Sequence, residues 1–209
     1  MSEPRRHPLH YSVEEYLSID EASQGRLEYV DGVIYAMTGA HTRHNRIAMN
    51  IAARLWMAAR GGPCRIYMSD VKVRVAPTRF YYPDVVSVCA PRSDDGKVVS
   101  DPCLIVEVTS PSTARADWND KREAYLAAPS LRTYLIVDQR QRLVDQWWRE
   151  PGGEWQSESV AEQGEVPLPC PAMKLTLDDI YEGVLLPPRP RHRRVYEAPP
   201  EYEPAGDHA

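Results

Sequence analysis

Residues 103–109, Cys-Leu-Ile-Val-Glu-Val-Thr, constrain the fold more than any other stretch of this chain. Five of the first six are apolar, and β-branched side chains recur among them. That is the pattern of a strand covered on both faces, at the centre of a sheet. Glu107 interrupts the run by placing a carboxylate where water is scarce. An unpaired buried carboxylate is costly enough that it takes up a proton, unless a cation or several donors meet it. A positive partner is therefore expected at the end of this strand.

The chain has 209 residues, enough for one domain with a sizeable core and too few for two full ones. With 43% hydrophobic and 26% charged residues it has the balance of a soluble globular protein. No apolar run reaches the ~18 residues of a membrane span. Residues 1–10 are polar and basic and lack the apolar centre of a secretory signal, so a cytoplasmic location is expected. In that compartment the four scattered cysteines (Cys64, Cys89, Cys103 and Cys170) are expected to be buried, reduced thiols. A net charge of −5 excludes an overall electrostatic grip on nucleic acid and leaves room only for a local basic face.

Ser12-Val13-Glu14-Glu15 is a capping box that starts a short helix. Residues 26–30 and 33–37 read as a hairpin turning at Asp31-Gly32, with Leu27 and Tyr29 on one face and Glu28 and Val30 on the other. Residues 41–60 form a long helix ended by Gly61-Gly62, and His44 extends the apolar stripe of Ile47, Ile51 and Leu55. Arg43, Arg46, Arg54 and Arg60 lie mostly off that stripe, a solvated face or a surface for phosphate. Strands follow at 65–68, 70–75 and 84–89, with a polar loop over 91–102. Past the central strand come a helix over 117–128, an apolar strand over 133–137, a meander from 143 to 160 and a short helix from Thr176. The strand–helix–strand unit from Leu104 to Val137 implies a parallel crossover. The expected class is α/β (α+β): one central mixed sheet flanked by helices, occupying residues 11–186. A flexible N-terminus (1–10) precedes it, and a Pro-rich disordered tail (187–209) follows.

Three sites converge on the central strand. Asp84 opens its strand behind Pro83, and Glu107 stands near the end of its own. Lys121 lies on the next helix, with Asp117 and Tyr125 one turn either side on the same face. Two carboxylates at a strand mouth suit Mg²⁺, which takes one or two carboxylates and otherwise keeps waters or phosphate oxygens. The ion would polarise a phosphate and acidify a bound water, and a lysine beside it would stabilise charge growing on the phosphate. Each residue also has a plainer reading. Asp84 can cap a turn, Glu107 can sit in a buried salt bridge with Lys121, and Lys121 can be one more solvated helix charge. Glu28 can be an exposed strand residue, His44 a core histidine, Asp117 a helix cap and Tyr125 core.

The sequence around these residues resembles the PD-(D/E)XK nuclease signature, with Pro83-Asp84 on one strand and Glu107-Val108-Thr109 on another. More narrowly it resembles the Uma-type restriction endonuclease family, over residues 11–180. Its matching segments are Leu27-Glu28-Tyr29-Val30-Asp31-Gly32, His44, Pro83-Asp84-Val85, Val106 to Thr113, Asp117 with Lys121 and Tyr125, and Tyr134-Leu135-Ile136-Val137-Asp138. The resemblance implies a restriction-endonuclease-like fold and Mg²⁺-dependent phosphodiester cleavage, with Mn²⁺ able to substitute. It also implies Asp84 and Glu107 as metal ligands, the backbone carbonyl of Val108 as a third, and Glu28, His44 and Asp117 as auxiliary groups. The broader pattern has a lysine two residues after the glutamate; Thr109 stands there, and Lys121 takes over the role. The expected function is thus a metal-dependent endonuclease acting on nucleic acid, DNA before RNA, with a homodimer by analogy. The alternatives are a catalytically inactive module of the same fold that binds nucleic acid or a protein partner, and a metal hydrolase acting on another phosphoester.

Overall fold

The computed structural model of the chain describes residues 10–37, 39, 41–89, 96–109 and 115–188, with the side chains of 115–119 left out. The expected N-terminal arm and C-terminal tail therefore lie, but for their innermost residues, outside the described residues.

Local rules explain the helices. Helix α1 (Val13–Ala22) begins on Ser12, whose hydroxyl accepts from the Glu15 N–H while the Glu15 carboxylate accepts from the Ser12 N–H. Helix α2 (Thr42–Ala59) buries the stripe Ile47, Ala48, Ile51, Ala52 and Leu55. Helix α3 (Arg115–Ala127) and the single turn of α4 (Leu177–Ile180) complete the set. No described helix is long and apolar enough to cross a membrane.

The strands form two large sheets rather than the one expected. One has six strands: β3 (Arg65–Met68), β6 (Val85–Val88), β8 (Leu104–Thr109), β9 (Thr133–Asp138), β10 (Leu143–Trp148) and β11 (Gln156–Ala161). Their order is β11-β10-β9-β8-β6-β3. The apolar run is the interior strand β8, antiparallel to β6 and parallel to β9. The five-stranded sheet comprises β1 (Leu27–Val30), β2 (Val33–Ala36), β4 (Lys72–Ala76), β5 (Arg79–Tyr81) and β7 (Val98–Ser100), in the order β2-β1-β5-β4-β7. Strand β7 falls in the span expected as loop. A separate hairpin, β12 (Glu165–Pro169) with β13 (Ala172–Thr176), also has no counterpart in the sequence reading.

Three apolar layers hold these parts together. Ile47, Ile51 and Leu55 of α2 pack on Leu104, Val106 and Val108, joined by Val166 and Leu175 of the hairpin and Ile180 of α4. Ile105, Val86 and Tyr134 face the other way, onto Tyr125 of α3 and Val73, Tyr81 and Val99 of the second sheet. On that sheet's far side Tyr29 and Phe80 meet Tyr16 of α1, which stacks on Tyr29. The alternation along β8 therefore turns Ile105 and Glu107 towards α3 and the space between the sheets.

The cysteines depart from expectation. Cys64 and Cys89 form a disulfide, while Cys103 and Cys170 are free and buried. Arg65 pairs with Val88 across β3 and β6, so the next step of the register sets Cys64 opposite Cys89. That cross-strand neighbourhood is invisible in a spacing of 25 residues.

Candidate active site

The demand of Glu107 for a partner is met from one helix. Lys121 Nζ on α3 lies 3.1 Å from Glu107 Oε1, and the Tyr125 hydroxyl, one helical turn further on, donates to the same oxygen at 2.8 Å. Both donors come from one face of α3, as their spacing of four requires. Lys121 Nζ also donates to Glu28 Oε1 at 2.8 Å, reaching the second sheet. Glu28 is fixed in turn by the Tyr82 N–H at 3.1 Å, and the Tyr81 ring centroid lies 5.3 Å from the ammonium.

Asp84 forms the other half. Its Oδ2 accepts from the Val108 N–H at 2.7 Å and lies 3.0 Å from His44 Nε2 in the first turn of α2. Because Val85 is opposite Val106, the register carried one step on sets Asp84 across from Glu107. The two halves are thus welded by the adjacent residues Glu107 and Val108. Glu28, His44, Asp84, Glu107 and Lys121 have side-chain exposures between 12% and 22%, so the five groups are largely withdrawn from water without being sealed from it.

That environment moves protons. Burial pushes the Glu107 carboxyl up from 4.5 to about 7; Lys121 opposes the shift, and the nearby Asp84 and Glu28 carboxylates add to it. For Lys121 burial acts downward, but Glu107 and Glu28 outweigh it and raise the ammonium above its ordinary value. His44 follows the same logic: burial works against its charge, while the bond to Asp84, the Asp84 and Glu107 charges and the Val108 backbone together raise it. Three carboxylates converge here on one ammonium and one imidazole, leaving acceptor oxygens in excess of cations.

The structure brings together Asp84, Glu107, Lys121, Glu28 and His44. The plainer readings of Glu28 as an exposed residue and Asp84 as a turn cap do not describe what these side chains touch. Asp117 lies within α3, but its side chain falls outside the described residues. The sequence reading missed the Tyr82 N–H and the Tyr81 ring, for which three-residue β5 offers no periodic signal, and placed Tyr125 in the core without its bond to Glu107. Two arginines of α2 serve the C-terminal segment. Arg54 pairs with Asp179 and Glu182, and Arg43 donates to the Leu185 carbonyl, so neither is an idle charge awaiting phosphate.

Asp84, Glu107 and Glu28 bring carboxylate oxygens together beside the His44 imidazole, with no thiolate among them, a set that suits Mg²⁺ or Mn²⁺ better than a thiophilic ion. Acids at the ends of paired strands with a helix lysine between the sheets, on a mixed α+β frame, define a protein with a restriction-endonuclease-like, nuclease-type fold. The chain belongs to the Uma2 family, described as "Putative restriction endonuclease", whose pattern matches residues 13–179. Among similar proteins is an uncharacterized protein of Synechocystis sp., 33% identical over 175 residues, an alignment covering 83% of this chain and 92% of that one. A second uncharacterized Synechocystis protein is 31% identical over 157 residues, covering 73% and 89%. In structure the chain resembles a crystal structure described as "a putative nuclease belonging to DUF820" from Anabaena variabilis. The TM-score is 0.70 at 17% identity, with 84% of this chain and 99% of that chain covered.

Proposed function

We propose that the protein is an endonuclease that hydrolyses phosphodiester bonds in DNA, dependent on Mg²⁺ with Mn²⁺ able to replace it. The observation that carries this reading is Lys121 lying 2.8 Å from Glu28 and 3.1 Å from Glu107, with Asp84 held beside them by the Val108 N–H. Asp84, Glu107 and the Val108 carbonyl would hold the ion, which when bound supplies Lewis-acid polarisation of the phosphate and a more acidic water. His44 and the Val108 N–H keep Asp84 aimed at the mouth. Lys121 stabilises negative charge gathering on a non-bridging phosphate oxygen, and Glu28 keeps the ammonium in place as Glu107 turns to its ligand role. Tyr125 fixes the rotamer of Glu107 from the buried side. Cutting both strands of a duplex needs two such sites, and a homodimer would supply them.

The test is cleavage of supercoiled plasmid by purified protein with Mg²⁺ or Mn²⁺, set against Asp84→Ala, Glu107→Ala and Lys121→Ala. Each substitution should cost on the order of 100-fold or more in rate, as loss of one preorganised charged group does. Undiminished cutting by both acid variants overturns the proposal. Thr109 favours a second reading, because the strand position that bears lysine in the wider pattern bears a hydroxyl here. Under that reading the fold binds nucleic acid or a protein partner without cleaving. Calorimetry separates the two: no heat with Mn²⁺ together with tight binding of DNA assigns the second.

A further inference from the structure

Strands β6 and β8 carry the acids at one end and cysteines at the other. Cys89 follows β6, Cys103 precedes β8, Cys64 precedes β3, and Cys170 lies in the turn between β12 and β13. All four cysteines of the chain thus meet at the end of the sheet away from the acids. The Sγ atoms of Cys89, Cys103 and Cys170 lie within 4.8 Å of one another. Cys89 Sγ is 3.1 Å from Cys103 Sγ and bonded to Cys64 Sγ. Two buried thiols side by side would be ordinary small apolar packing. Four sulfurs from four separate segments, leaving no cysteine elsewhere, are not explained by packing. In a tetrahedral zinc–thiolate site each Zn–S bond is about 2.3 Å, which sets neighbouring sulfurs roughly 3.8 Å apart. Cys89 and Cys103 lie somewhat inside that spacing, and the 4.8 Å limit on the three sulfurs includes it.

One hydroxyl faces two of these sulfurs. The Ser87 hydroxyl is 3.7 Å from Cys103 Sγ and 3.8 Å from Cys89 Sγ.

We propose that Cys64, Cys89, Cys103 and Cys170 form a tetrathiolate site for Zn²⁺, which opens on reduction of the Cys64–Cys89 disulfide and clamps β3, β6, β8 and the β12–β13 hairpin together. A water-soluble phosphine serves as reductant. It takes the oxygen of one water to become its phosphine oxide, while the S–S bond becomes two thiols with the two protons of that water. The four thiols then release four protons as four Zn–S bonds form, with no change in the oxidation state of zinc.

Cobalt titration of the full chain tests this, because thiolate-to-cobalt charge-transfer bands report sulfur ligands and not carboxylates. The reduced protein should show these bands with tetrahedral visible bands, saturating at one equivalent of Co²⁺ and abolished by one equivalent of Zn²⁺; the oxidised protein should show neither. The bands should persist in Asp84→Ala/Glu107→Ala and be lost or strongly weakened in Cys170→Ser. The reduced wild-type chain is decisive by itself, so a variant that fails to fold does not blunt the test. Absence of the bands there overturns the proposal, as does their survival unchanged in Cys170→Ser. Alkylation of two cysteines rather than four after phosphine treatment, meaning that the disulfide resists reduction, overturns it equally. The outcome is independent of whether the acidic site cleaves DNA.

Discussion

Glu107 shows how much one misplaced charge discloses. Its need for a cation was legible in the sequence alone, since a carboxylate within an apolar strand has few ways to survive. Lys121 and Tyr125 as suppliers were half legible, because the i+4 spacing put them on one face without saying which way that face turns. Glu28 as a second anchor for the ammonium was not derivable from the residues, because it reaches the site from another sheet. The raised Glu107 carboxyl carries a prediction whose sign is unusual for an acid. Between about pH 4.5 and 7 the folded protein keeps a proton that the unfolded chain has released, so this group's contribution is full below about 4.5 and is lost as pH rises through about 7. Other carboxylates, such as Asp31 and Asp179, are lowered and pull the opposite way. The measurement is therefore a difference: the melting temperature of the wild type minus that of Glu107→Gln should fall from about pH 5 to about pH 7.5 without metal. Saturating Mn²⁺ should reverse the trend, because an ion held by Glu107 favours the form that burial disfavours. A flat difference across that range would mean that Glu107 is ionised throughout and fully compensated by Lys121.

Among the elements, those with a strong period were read correctly and those that depend on company were not. The capping box at Ser12, the helix start at Thr176, the Asp31-Gly32 turn and the stripe of α2 are local statements, and each appears in the structure. Asp31 and Gly32 both take positive φ, at 47° and 100°, which is what a two-residue hairpin turn of this hand needs. Strands β5 and β7 have three residues each, too few to show alternation. Strand β12 contains Pro167 and Pro169, which lower any strand expectation; they are tolerated because this hairpin is two-stranded and every strand in it is an edge. The central strand tests the reading at this scale. Ile105 is fully buried on the same face of β8 as Glu107, so Ile105→Ala should cost roughly 2–5 kcal/mol by urea denaturation. Arg54→Ala, which breaks pairs at the molecular surface, should move the urea midpoint far less. Equal losses would show that the C-terminal segment, and not the sheet interior, limits stability.

At the scale of the whole molecule the site exists only because two sheets are held in register against each other, and pairing between distant strands is what a single sequence least reveals. A second buried ion pair, between α1 and the five-stranded sheet, fixes that sheet's contribution to the site. Asp20, at the end of α1, receives Lys72 Nζ and the Tyr82 hydroxyl on Oδ2, each at 2.7 Å, and the Leu27 N–H on Oδ1 at 3.0 Å. The two charged side chains are only 7% and 8% exposed. Leu27 is next to Glu28, and Tyr82 both donates its N–H to Glu28 and lies two residues before Asp84. One carboxylate far from Lys121 therefore positions an anchor of the site and the approach to a proposed ligand. Asp20→Ala leaves the Lys72 ammonium buried without its partner, which should cost about 3–5 kcal/mol. Asp20→Asn with Lys72→Met removes both charges while the amide can still accept from the Leu27 N–H, so most of that loss should return. Stability and site geometry then separate. If the hydrogen bonds to Leu27 and Tyr82 are what locate Glu28 and Asp84, the double variant should regain its melting temperature and its Mn²⁺ affinity together. Recovery of the melting temperature with Mn²⁺ affinity still depressed would instead show that the charge on Asp20 itself, through Tyr82, sets the position of Asp84.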